Sequence, residues 1–71
     1  MNKKREKFEK IATRRVDVIL KNLDLLSNCS NKYTYDYDKE DVQKIFKAIS
    51  SKVTASKSAF DTKLFKSNFK L

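Results

Sequence analysis

Neither glycine nor proline occurs in the 71 residues. Average usage is about 7% and about 5%, so this absence narrows the available backbone conformations. Any turn that needs a positive φ has only Asn or Asp to draw on, and no helix carries a built-in breaker. Long helices joined by few connections are the architecture that follows.

The chain is short enough for one domain at most, and a domain of this size buries only roughly 60% of its unfolded surface. Small domains usually add disulfides, a metal or self-association. Cys29 is the only cysteine and there is no histidine, which excludes an internal disulfide and a structural zinc site. Regular helix packing or a homo-oligomer remains, and no metal or cofactor is expected. Enzymatic chemistry also lacks its usual parts. There is no histidine for proton transfer near neutrality, no glycine-rich phosphate loop, and no histidine partner for Cys29. The sequence therefore predicts a protein that is not an enzyme. Asp36, Asp38 and Glu40 match the first, third and fifth positions of a calcium loop. Asp41 then stands where glycine is required and Lys47 where glutamate is required, so helix capping accounts better for these carboxylates. No apolar run approaches the roughly 20 residues of a membrane span. Near the N-terminus Phe8, Ile11 and Ala12 are broken up by Glu9 and Lys10. A lone thiol without a signal-peptide core sets a cytoplasmic location as the expectation.

Periodicity predicts an all-α fold, an antiparallel two-helix hairpin assembling into a helical-bundle oligomer. The first helix runs over about 3–26. Phe8, Ala12, Val16, Ile19, Leu20, Leu23 and Leu26 fall within an arc of about 120° at 100° per residue, a core-facing stripe. A second apolar line, Ile11, Val18 and Leu25, lies nearly opposite. A hairpin leaves it uncovered, so it is either ordinary exposed aliphatics or a second packing surface for a symmetry mate or the C-terminal residues. The connection covers about 27–38. Asn28 and Asn31 are its candidates for a left-handed cap, and Tyr33, Tyr35 and Tyr37 alternate as a loop or a minor strand. The second helix runs over about 39–60 from an N-cap at Asp38, with Glu40 and Asp41 in the first turn and a Tyr37–Val42 staple. Val42, Phe46, Ile49, Val53, Phe60, Leu64 and Leu71 form its stripe. Six Ser or Thr residues between Ser50 and Thr62 weaken it. Residues 61–71 are then a tail or a short third helix starting from Ser58 to Asp61.

Charge carries the functional signal. The whole chain has a net charge of +8, distributed unevenly. Residues 1–15 hold seven basic and two acidic side chains, residues 16–41 three and six, residues 42–71 seven and one. Lys3, Lys7, Lys10, Arg14 and Lys21 fall within about 60° of helical arc, and Lys4 and Arg15 widen the basic surface. Lys63, Lys66 and Lys70 share one flank of the second helix. Rows of lysine can track phosphates and release counterions. Three of the seventeen basic residues are Arg, which favours phosphate contact over bidentate base reading. A lysine-rich solvated surface would use the same residues. The first expectation is a small accessory protein binding DNA or RNA with low sequence specificity. The alternative is a protein-interaction module, a regulator or inhibitor of a larger complex, docking through Ile11, Val18, Leu25, Phe65 and Phe69. The basic residues would equally suit an acidic protein as partner.

The segment Leu25-Leu26-Ser27-Asn28-Cys29-Ser30-Asn31, the spaced Tyr33, Tyr35 and Tyr37, and Asp41-Val42-Gln43-Lys44-Ile45-Phe46 resemble a pattern in small bacterial proteins, some carried on phages and other mobile elements. The resemblance covers about a third of the chain and implies that setting, with no site residues attached. In shape alone the expected hairpin is similar to the small RNA-binding protein Rop, which dimerises into a four-helix bundle.

Overall fold

The computed structural model describes residues 2–65. Two helices, α1 (Lys3–Asn28) and α2 (Lys39–Phe65), hold most of them. No strand occurs among the described residues, so the fold is all-α. The chain divides into two units between Asp36 and Tyr37, each built on one helix.

The start of α1 is set by Asn2. Its backbone is extended and its side-chain carbonyl accepts from the Arg5 N–H at 3.0 Å. The Asn2 main-chain carbonyl takes the next bond, from the Glu6 N–H at 3.1 Å. The side-chain bond satisfies one of the four donors left open at a helix start, and the main-chain bond is the first regular one of the helix. One turn later Arg5 Nε donates to Glu9 Oε1 at 2.9 Å, and the Arg5 guanidinium lies 5.9 Å from the centre of the Phe8 ring. An exposed i,i+4 pair of this kind contributes about 0.3–0.5 kcal/mol.

The end of α1 differs from expectation. A left-handed Asn cap was the anticipated stop, yet no described residue has a positive φ. Cys29 instead keeps a right-handed conformation, φ −71 and ψ −4. The Cys29 N–H donates to the Leu26 carbonyl at 2.9 Å and the Ser30 N–H to the Ser27 carbonyl at 3.1 Å. These i→i−3 bonds tighten the last turn and satisfy terminal carbonyls without glycine. Ser27 Oγ adds a bond to the Leu23 carbonyl at 3.0 Å. Asn31 does serve the connection, but as a turn initiator. Its side chain accepts from the Tyr33 N–H at 2.9 Å, and its carbonyl accepts from Thr34 and Tyr35 at 3.2 and 2.9 Å. Tyr33 lies inside this turn and is fully exposed. The tyrosine segment is thus a loop, and the strand alternative is not realised among the described residues.

Asp38 starts α2 as anticipated, with reciprocal geometry. Asp38 Oδ1 accepts from the Asp41 N–H at 2.9 Å while Asp41 Oδ2 accepts from the Asp38 N–H at 3.0 Å. This is a capping box with aspartate in place of the usual glutamate. From there α2 runs through the Ser/Thr-rich stretch and past Asp61 to Phe65. Each Ser or Thr costs at most about 0.7 kcal/mol relative to alanine, which retards a helix without breaking it. No third helix begins at Ser58–Asp61. Residues 66–71 lie outside the described residues.

No described residue of either helix is buried. The half-buried positions inside the helices fall mainly on the apolar stripes: Ala12, Leu23 and Leu26 in α1, Ile49 in α2. Ile19 remains 55% exposed and Phe60 58%. Fully burying one large aliphatic or aromatic side chain is worth about 1.5–3 kcal/mol, so each stripe holds stabilisation that its own helix does not use.

Candidate nucleic-acid interface

A helix of 3.6 residues per turn assigns every side chain of α1 a direction. The main apolar stripe occupies one side. Glu6, Asp17 and Asp24 follow it around the cylinder, with Glu9 at the edge of the stripe. The next sector contains Lys3, Lys7, Lys10, Arg14 and Lys21, within about 60°. Ile11, Val18 and Leu25 come next, and beyond them Lys4 and Arg15. Across these last three sectors, about 140° of the circumference, every charged residue is basic. Asn22 and Asn28 share the sector and no acid enters it.

The second apolar line therefore does not stand alone on a polar helix. It is the floor between two basic rows. Ile11 is 36% exposed and Val18 and Leu25 are each 53% exposed. Ile11, Arg14, Arg15, Val18 and Ile19 line a shallow open groove on this side of the helix. Lys3, Lys4, Lys7, Lys10, Arg14, Arg15 and Lys21 are all exposed. The Arg5–Glu9 ion pair of α1 lies outside this face.

Helix electrostatics does not account for the layout. The first turn of α1 carries Lys3, Lys4 and Arg5 against a single acid, Glu6, and its last turn has no base. The helix dipole prefers the reverse, with anions at the N-terminus and cations at the C-terminus.

The other expected positions are not gathered in the same way. Lys63 is in the last turn of α2, where the dipole explains a cation. Lys66, Lys70 and Phe69 lie outside the described residues. Phe65, 60% exposed, is the final residue of α2. The described α2 lysines, Lys39, Lys44, Lys47, Lys52, Lys57 and Lys63, point in directions spread around the helix and form no comparable face. Asn22 went unnamed in the sequence reading. Its signal was its place between Val18 and Arg15 in the helical projection.

Among the described residues no group of three His, Cys, Asp or Glu side chains could hold a metal ion. None of the described helices is long and apolar enough to cross a membrane. Compared with known proteins, the chain matches no protein family, no curated protein and no solved structure.

Proposed function

We propose that this is a small, non-catalytic nucleic-acid-binding protein whose contact surface is the acid-free face of α1. The observation that carries the reading is the segregation of charge on that helix. Seven basic side chains share one face while the four acids of α1 keep to the rest, in an order that opposes the helix dipole. A surface evolved only for solubility would intersperse the signs. Lys3, Lys7, Lys10 and Arg14 recur at spacings of four and three, so each turn of the helix offers a cation to successive phosphates. Lys63, Lys66 and Lys70 add to the contact if the C-terminal residues reach the same ligand.

The main stripes of α1 and α2 close a helical hairpin, and hairpins pair into a homo-oligomeric bundle. The exposure of Val16, Ile19, Leu20, Val53 and Phe60 supports this, because most helical stability in proteins comes from packing an amphipathic face. A cytoplasmic location in a phage or mobile-element setting fits the lone exposed thiol and the sequence resemblance.

A second reading rests on the exposure of Ile11, Val18 and Leu25. They could dock an acidic protein, making the chain a regulator of a larger complex. A mobility-shift titration at low salt separates the two readings. The nucleic-acid reading expects retardation of DNA or RNA by the parent chain and none by the Lys7→Glu/Lys10→Glu/Arg14→Glu variant. Absence of binding to every duplex and single strand tested would overturn it.

A further inference from the structure

We infer that the ligand of the α1 face is duplex DNA, entered in its major groove, with Ile11 and Val18 against the base edges. The inference rests on the nucleic-acid reading and narrows it. The face has three parts: a basic row of Lys3, Lys7, Lys10, Arg14 and Lys21, an uncharged floor, and a second basic row of Lys4 and Arg15. A single strand offers one row of phosphates. It would leave one basic row idle and the floor in water. A duplex groove offers a phosphate row on each wall and an uncharged floor of base edges, which is the complementary arrangement. The B-form major groove is about 12 Å wide and admits an α-helix, whose diameter with side chains is about 10–12 Å. The A-form major groove of duplex RNA is too deep and narrow to be read this way. The same geometry that selects a duplex therefore selects DNA.

The floor also has a chemical preference. Ile11 and Val18 are branched aliphatics without a donor or acceptor, and both are exposed. At about 1.5 Å per residue they are about 10 Å apart along the helix, the length of about three base steps. In the major groove the apolar feature of a base pair is the thymine methyl. Asn22, one turn on from Val18 and exposed, carries the amide that pairs bidentately with an adenine edge. Floor and amide both favour A·T pairs, through contacts too few to fix a long unique site.

The test is fluorescence anisotropy with four probes at one salt concentration. They are a 20-base-pair A·T-rich DNA duplex, the same duplex with deoxyuridine in place of thymidine, the RNA duplex of the same sequence, and one DNA strand alone. The expected order places the thymine duplex at least about tenfold tighter than the RNA duplex or the single strand. Loss of the methyls weakens binding about threefold to fourfold for each methyl in contact, the worth of one buried carbon. Ile11→Ala/Val18→Ala loses that sensitivity, and a repeat titration at a second salt concentration shows its salt dependence kept. Alanine favours helix, and circular dichroism verifies that the variant remains helical. Equal affinity for RNA and DNA duplexes, or no response to uracil, overturns the major-groove inference and leaves the nucleic-acid reading standing. Binding of poly-glutamate with no binding to any of the four probes overturns both.

Discussion

The two helices are nearly equal in length, 26 and 27 residues, yet they treat charge in opposite ways. In α2 Glu40 and Asp41 occupy the first turn, Lys63 the last, and Asp38 and Asp41 close a reciprocal cap. Every one of these placements stabilises the helix, each by about 0.3–1 kcal/mol for a charge at a terminus. In α1 three cations crowd the N-terminus and no base occupies the last turn. The same dipole makes those placements unfavourable. In α2 the acids of the first turn outnumber its one cation, Lys39, and Lys63 stands at the favourable end. Charge in α1 needs something outside the helix, and its confinement to one face says where that partner sits.

Equal charge reversals on the two helices should have unequal effects. Lys7→Glu/Lys10→Glu/Arg14→Glu on α1 and Lys44→Glu/Lys47→Glu/Lys52→Glu on α2 change net charge equally. The α1 variant should lose at least about 10²-fold in DNA affinity, and the α2 variant no more than about tenfold, the long-range share of a screened charge change. Equal losses in gel shift would mean that net charge alone matters.

A smaller effect separates binding from stability within α1. Lys3→Glu/Lys4→Glu restores the sign the dipole prefers. Helicity should rise, by about 0.3–1 kcal/mol per charge at low ionic strength, while DNA affinity falls. Thermal melting followed by circular dichroism, alongside an anisotropy titration, checks both signs. A variant that loses both helicity and affinity would show that the N-terminal cations support the helix after all.

In α2 the cap should act on stability alone. Asp38→Ala removes the acceptor for the Asp41 N–H and should cost about 1 kcal/mol in helix stability, with DNA affinity unchanged. Asn2→Ala should cost a similar amount at α1. The smallest expected effect is the Arg5–Glu9 pair. A double-mutant cycle to alanine should return about 0.3–0.5 kcal/mol, fading with added salt.

Much of this was legible in the residues. The stripe from Phe8 to Leu26 marks α1, and the stripe from Val42 with its Asp38 cap marks α2. The end of α1 was not legible, because absence of glycine suggested a left-handed Asn. The chain instead steps down through i→i−3 bonds from Cys29 and Ser30, which require no special residue. The end of α2 was misplaced for a related reason. Ser/Thr enrichment from Ser50 onward lowers propensity, but a run of small costs does not add up to a break before Phe65. Asn2 was readable as a cap by type, yet Arg5 stands three residues on, where the usual capping box has Glu or Gln. The candidate site was half visible. The row from Lys3 to Lys21 follows from spacing alone. That Lys4 and Arg15 form a second row across an apolar floor emerges only when α1 is drawn around its whole circumference.

The most direct test of the α1 face is the salt dependence of its affinity for a 20-base-pair DNA duplex. About five phosphate contacts predict a fall on the order of 10²-fold to 10³-fold between 50 and 200 mM salt. Affinity that does not change over that range, or no binding at 50 mM, would contradict the account.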